Sequence, residues 1–325
     1  MNDYSGRRVM VLGAAGFLGR WVARSLGQQG AELLLVARDR DQAKRVFADY
    51  GVAGRVLVQD LEDIVSVRTM LEEMRPAVVF NLAGYGVDPG ERDEALARRL
   101  NVDLVRVLCE AMGRLRDPGW PGMHLVHAGS SAEYGSSAGP LAEETAPRPA
   151  GFYGLSKLEG TQAVEAAVRA GHIRAITARL FNVYGPGEHS GRLLPSLLEC
   201  ARTRETLALT DGSQRRDFAY VEDVARAVAA LGLVPSSPWP TVNLATGQVL
   251  PVRTFTETAA RLLGIPAQSL AFGRISGNQN ALDYPAVSVD RLQSLLGWTP
   301  TADYEDGVLR TCLFTGGLAL FGKNP

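Results

Sequence analysis

Tyr153 and Lys157 stand four residues apart in the stretch Tyr153-Gly-Leu-Ser-Lys157. On a helix this spacing puts both side chains on one face, so the ammonium can sit beside the phenol. A free phenol ionises near pKa ~10 and exchanges protons poorly at neutral pH. A fixed cation favours the phenolate, so Lys157 is expected to bring the pKa of Tyr153 down. The pair would then act as a general acid/base in a carbonyl/alcohol interconversion. Ser130, in His127-Ala-Gly-Ser130-Ser131-Ala-Glu133-Tyr134-Gly135, supplies a hydroxyl that can hydrogen-bond the reacting oxygen. A surface Tyr and Lys would show the same spacing, so the surroundings must decide.

The stretch Gly13-Ala-Ala15-Gly16-Phe17-Leu18-Gly19 follows the apolar run Val9–Leu12 and opens a helical pattern. In such a turn the first glycine permits the tight bend, the second admits a pyrophosphate, and the third lets helix pack on sheet. The helix N-terminus offers free N–H groups to the phosphates. Gly13, Ala15, Gly16, Phe17, Leu18 and Gly19 are therefore assigned to a dinucleotide. The second strand ends at Ala37-Arg38-Asp39. An acid at that tip would bond the ribose of NAD, whereas an arginine pairs with the 2′-phosphate of NADP. Arg38 holds the tip, so NADP(H) is favoured and NAD(H) is the alternative. Asp60 and Leu61 follow the third strand, where an adenine would lie. Leu82, Ala83 and Gly84 follow Asn81 with small residues beside the cofactor ribose, and Leu180, just past the sixth strand, completes the cofactor set.

These residues need a frame. Val9–Leu12, Glu32–Val36, Val56–Val58, Val78–Asn81, Leu125–Ala128 and Ala175–Ala178 read as strands. Phe17–Leu26, Val65–Glu73, Ala95–Met112 and Tyr153–Ala170 read as helices between them. The alternation predicts an α/β fold, a Rossmann-like doubly wound parallel sheet. Ligands bind beyond the carboxyl ends of such strands, which is where Ser130 falls. After Asn182 the chain becomes richer in Gly and Pro, with helices expected at Leu193–Ala201, Val221–Leu231 and Phe255–Leu263. We expect residues 1–181, with returning segments such as 213–245, to form the dinucleotide-binding domain. Residues 182–325 would form most of a smaller, interleaved C-terminal substrate-binding lobe.

The 325 residues carry a net charge of -1 with scattered basic side chains, which argues against nucleic-acid or membrane partners. Three distant cysteines and four histidines show no ligand spacing, so no metal site is expected and the thiols read as reduced. No secretory or membrane-spanning pattern occurs, and a soluble cytoplasmic protein is expected.

With the motifs Asn101-Val, Arg179-Leu-Phe-Asn182-Val-Tyr-Gly-Pro186 and Arg216-Asp-Phe-Ala-Tyr-Val-Glu-Asp223 added to those above, the chain resembles the extended short-chain dehydrogenase/reductases. Within them it is most similar to the nucleotide-sugar epimerase/dehydratase/4-ketoreductase group. The resemblance implies a nucleotide-sugar substrate, with Ser131, Asn182, Leu193, Leu209, Arg216 and Arg274 on it. Asn182 and Arg216 would hold the diphosphate, a role suited to a guanidinium. Leu193 and Leu209 would pack the base, and Arg274 would be a second diphosphate arginine. Two departures bear on the fit: Arg274-Ile-Ser-Gly-Asn278 replaces the usual Arg-x-Gly-Asp, and Thr210 replaces a usual glycine. A plain ion pair of Arg216 with Asp217 or Asp223 is the competing reading. The resemblance also implies a homodimer through Ala95–Met112 and Tyr153–Ala170; packing on the sheet is the alternative use of those faces.

Dehydratases of this group place an Asp-Glu pair directly after the active-site hydroxyl, where this chain has Ser131 and Ala132. Glu133 comes one residue late, and in an extended segment it would point away. Ketone reduction and epimerisation remain. Arg38 favours NADPH-dependent reduction of a nucleotide-linked 4-keto-6-deoxy sugar. The alternatives are an NAD-retaining 4-epimerase and a reductase of a non-nucleotide ketone or aldehyde.

Overall fold

The computed structural model describes residues 3–88, 90–276, 282–300 and 303–316. Gly277 and Asn278, part of the departure after Arg274, lie outside them. Seven parallel strands form the central sheet: β1 (Arg8–Leu12), β2 (Glu32–Ala37), β3 (Arg55–Val58), β4 (Val78–Asn81), β5 (Leu125–Ser130), β6 (Ala175–Leu180) and β10 (Thr241–Leu244). Their order is β10-β6-β5-β4-β1-β2-β3. It reverses between β1 and β4, the switch point where ligands of such sheets bind.

The sheet is apolar on both faces because helices cover both. Val9 and Val11 of β1 face one core with Trp21 and Leu26 of α1 (Phe17–Gln28) and Val224 and Val228 of α8 (Val221–Leu233). Met10 and Leu12, alternating to the other side, pack with residues of α3 (Ile64–Met74), α5 (Leu104–Leu115) and α6 (Gly151–Arg169). Between β2 and β3 lies α2 (Arg40–Asp49), and α4 (Glu94–Arg98) precedes α5.

The C-terminal half adds β7 (Asn182–Tyr184), β9 (Arg215–Tyr220) and β11 (Val249–Pro251) as one small sheet. β8 (Leu207–Ala208) and β12 (Leu270–Ala271) make a second. Around them lie α7 (Leu193–Thr203), α9 (Val252–Leu262), α10 (Asp290–Leu296) and α11 (Tyr304–Phe314). Among the described residues no helix is long and apolar enough to cross a membrane.

Two expectations about local structure are corrected. The helix expected over Ala95–Met112 is broken by a π-turn at Arg99–Asp103 between α4 and α5. The bulge carries the Asn101 carbonyl so close to α6 that a Cβ at Gly160 would lie 2.2 Å from it. The segment after Ser130 is not extended: Ser131–Glu133 form a 3-10 turn capped by Ser130.

Candidate active site

The glycine-rich turn has the geometry of a phosphate cradle. Gly13 sits at φ 71°, where a side chain would also press on the Ala83 backbone at 3.0 Å. A Cβ on Gly19 would stand 2.0 Å from the Gly13 carbonyl oxygen, so only glycine lets α1 pack this tightly against the turn. Gly16, the N-cap of α1, supplies no capping side chain. The first-turn amides of Phe17, Leu18 and Gly19 thus meet no capping group, as an anion site requires. Arg20 fixes the turn by donating to the carbonyls of Ala15 and Gly16 at 2.8 and 2.9 Å. Such a cradle fits a dinucleotide pyrophosphate.

At the end of β2 the two candidate residues are separated in role. Asp39 accepts from the amides of Asp41 and Gln42, both at 2.9 Å, as the N-cap of α2. Arg38 is exposed, with no ion pair among the described residues. A carboxylate engaged by two amides is held by its own helix, and the guanidinium faces outward. Replacing Arg38 with Ser should raise KM for NADPH by roughly ten- to a hundredfold, the value of a charged hydrogen bond. KM for NADH should stay put, and initial-rate kinetics with both cofactors checks this. Asp60 is exposed and accepts from the Glu62 amide at 3.0 Å, while Leu61, Leu82, Ala83 and Leu180 are part-buried beside the core. Gly84 is exposed, and a Cβ there would lie 3.8 Å from the Lys157 ammonium.

Ser130, at the end of β5, lies beside Tyr153, in the first turn of α6, and its hydroxyl acts on the phenol. The Ser130 hydroxyl also accepts from the Ala132 amide at 3.1 Å. Lys157 is buried one turn along α6 and donates to the Ala128 carbonyl at 2.5 Å. The expected lowering of the phenol is not what this fold does. Burial pushes Tyr153 up to about 12; the Ser130 hydroxyl and the Arg192 charge act against it, while Glu133 and Glu91 add to it. Desolvation outweighs every charge near the phenol, and the Lys157 ammonium is spent on a backbone carbonyl. Burial also pulls Lys157 down to about 8, opposed by Glu133.

Several residues around this pair, some of them within the motifs, were given no role by the sequence reading. Asn101, in the π-turn, accepts from the Tyr85 amide at 3.0 Å and donates to the Ser156 hydroxyl at 2.9 Å, tying the loop after β4 to α6. Asn81 and His127 meet at 3.1 Å, and burial of the imidazole, helped by the Lys157 charge, holds His127 neutral. Glu91 clamps the same loop by accepting from the Gly86 amide at 2.7 Å. Arg192 pairs with part-buried Glu188 at 3.5 Å, an i,i+4 spacing visible in the sequence. Glu133 is fully buried rather than offered to a ligand.

On the substrate side, Asn182 opens β7 and pairs in register with Phe218, two residues beyond Arg216 on β9. Neither ion pair considered for Arg216 forms. Asp217 is engaged by Thr246 at 2.8 and 2.9 Å, and Asp223 pairs with Arg226 at 3.0 Å. It is the neighbouring Arg215 that pairs with Asp283, at 2.9 Å. Arg216 donates to the Arg215 carbonyl at 2.7 Å and shows no carboxylate partner among the described residues. Leu209 and Arg274 are joined by a backbone bond of 3.0 Å, and the part-buried Leu193 starts α7. Ser131 is buried in the 3-10 turn. Among the described residues no His/Cys/Asp/Glu cluster could hold a metal.

A glycine cradle at a sheet switch point, beside a Ser-Tyr-Lys group at the end of β5, defines a dinucleotide-dependent oxidoreductase of the short-chain class. Residues 9–244 match the model of the NAD dependent epimerase/dehydratase family, and the chain belongs to that family. It is 32% identical to a dTDP-6-deoxy-L-talose 4-dehydrogenase (NAD(P)(+)) of Kitasatospora kifunensis, over 93% of each chain. It is 28% identical to a dTDP-4-dehydro-6-deoxy-D-allose reductase of Streptomyces bikiniensis, over 96% of this chain and 95% of that one. Among solved structures, MoeE5 in complex with UDP-glucuronic acid and NAD superposes with a TM-score of 0.81 at 27% identity, covering 96% of this chain and 99% of that one.

Proposed function

We propose that the protein catalyses NADPH-dependent reduction of the C4 ketone of a nucleotide-linked 4-keto-6-deoxy sugar. Bound NADPH would supply the hydride. Tyr153 donates the proton to the ketone oxygen, which becomes the hydroxyl, and Ser130 hydrogen-bonds that oxygen as charge develops. Lys157 presents its ammonium on the same helix face and steadies the cofactor ribose. Gly13, Gly16 and Gly19 seat the pyrophosphate. Asn182 and Arg216 hold the substrate diphosphate, with Leu193, Leu209 and Arg274 at the nucleotide and Ser131 at the sugar. In this reading the parallel sheet carries the cofactor and the two small sheets carry the substrate.

The observation that carries reduction over epimerisation is Arg38, exposed at the tip of β2 while Asp39 is occupied as a helix cap. Dehydration has no support, because Glu133 is locked away from the ligand side. Two relatives named for 4-dehydrogenase and 4-dehydro-sugar reductase chemistry support the same substrate class. The test is oxidation of NADPH and NADH against a panel of nucleotide-linked 4-keto-6-deoxy sugars, with NMR of the product. No turnover of any panel member would overturn the proposal.

A 4-epimerase that keeps its NAD is the second reading, favoured by the NAD-bound MoeE5 likeness. NAD(H) surviving purification in stoichiometric amount would select it. Substituting Arg216 with Met should raise KM for the nucleotide sugar by roughly ten- to a hundredfold while leaving KM for NADPH unchanged. Unchanged kinetics would point to a substrate without a diphosphate. A homodimer through α5 and α6 belongs to the same proposal; sedimentation showing only monomer at micromolar concentration refutes that part.

A further inference from the structure

Glu133 has no part in the proton transfer, yet it is among the most constrained side chains near it. It is fully buried, and its carboxylate serves three elements at once. One oxygen accepts from the Ser130 amide at 2.8 Å and from the Thr161 hydroxyl at 3.0 Å. The other accepts from Arg179 on β6 at 2.7 Å. Thr161 lies four residues after Lys157 and eight after Tyr153, so the three share one face of α6. Arg179 in turn lies over the Tyr134 ring at 4.5 Å, which fixes the pair from behind. The fit is close, since a Cβ on Gly129 would stand 2.7 Å from the carboxylate.

We propose that Glu133 is a positioning residue: its single carboxylate fixes Ser130, the Tyr153/Lys157 face of α6 and strand β6 relative to one another, and presents a negative charge to the reacting pair. This rests on Ser130, Tyr153 and Lys157 being the reacting groups. Buried charges are retained at a cost in desolvation, and an apolar residue at position 133 would pack with less penalty. Burial alone favours the neutral acid, and the Arg179 guanidinium and the Ser130 amide act against it; the charge so held has an electrostatic consequence. Glu133 acts on Lys157 to keep it protonated against burial, and on Tyr153 to keep it a phenol. Both are the forms a reductase needs. His127 also faces Lys157, and Glu91 and Arg192 face Tyr153; Arg179 is ion-paired to Glu133 itself.

The chain has three lysines, Lys44, Lys157 and Lys323, so a carbon-13 NMR titration of labelled lysine side chains isolates Lys157 without any substrate. In Glu133→Gln the Lys157 midpoint should fall from about 8 by on the order of one pH unit, the effect of removing a nearby opposite charge. NADPH binding, read by tryptophan quenching, should be unchanged. Glu133→Gln leaves Arg179 buried without its partner and can fail to fold. The double variant Glu133→Gln/Arg179→Met removes both and should show a fall in the same direction, reduced because the Arg179 charge goes with that of Glu133. An unchanged Lys157 midpoint in the folded variants overturns the proposal, whatever the substrate proves to be. Turnover retained by Tyr153→Phe would instead overturn the assignment of the reacting groups.

Discussion

Tyr153→Phe should lose about 10²–10⁴-fold in kcat, the share of rate that a positioned general acid supplies, while still binding NADPH. In the proposed mechanism the phenol is the proton source on the ligand side of the site. Ser130 lies beside it, Lys157 donates to the Ala128 carbonyl, and Glu133 is engaged by three other groups. Tyr153 is part-buried, so loss of one oxygen leaves the ring packing in place. The direction of the pH dependence follows from the same environment. Burial raises Tyr153 to about 12, so the acid form persists well above neutrality, whereas Lys157 at about 8 is the group that titrates first. Reduction should therefore decline on the alkaline side through loss of the Lys157 charge. Initial rates across pH, with cofactor binding by fluorescence, check both parts; substantial turnover in the phenylalanine variant would remove Tyr153 from the mechanism.

Gly19→Ala should abolish dinucleotide binding and destabilise the fold. The added methyl would lie 2.0 Å from the Gly13 oxygen, 2.9 Å from its carbonyl carbon and 3.0 Å from the Ala14 Cα. All three are backbone atoms, so the turn itself must move. Overpacking of this kind costs about 1–3 kcal/mol, and it displaces the amides that meet the phosphates. In the wild type, NADPH at about a hundredfold over its Kd should stabilise by about 2.7 kcal/mol. That increment should vanish in the variant, as read from the shift in Tm with and without NADPH. Gly27→Ala on the same helix is the control, because its Cβ would meet only a Leu33 methyl, at 3.5 Å. A ligand-induced shift kept by Gly19→Ala would refute the cradle.

The elements that bear the site were legible where local pattern and packing agree. Continuous apolar runs marked β1, β2, β4, β5 and β6 because these strands are buried on both faces. The Gly13–Gly19 spacing marked the turn because each glycine has a local steric cause. α2 passed unnoticed because only Ala43 and Phe47 of it are buried, although Asp39 carried a capping signal. The break at Asn101 could not be read, since a π-turn leaves helical periodicity almost intact. Glu133 was misplaced for a local reason: Ser130-Ser-Ala-Glu133 is itself a capping-box pattern, which would have replaced the extended reading with a turn. Its partner Arg179 is 46 residues away, and nothing local announces that pairing. The low Tyr153 pKa expected from spacing failed likewise, because desolvation depends on what the rest of the chain buries.

The last strand of the central sheet has a consequence for how the chain must be made. β10 lies beside β6, pairing Thr241 with Thr177 and Leu244 with Leu180, yet it is synthesised some sixty residues later. Until it leaves the ribosome, the buried strand Ala175–Leu180 presents an unpaired edge, the kind of template that invites association with other chains. Both small sheets also draw strands from this interval or beyond it, so the nascent protein holds an open edge while much of its second half is still being translated. A chain stopped near residue 240 should therefore aggregate, whereas one carried through Leu244 can close the sheet.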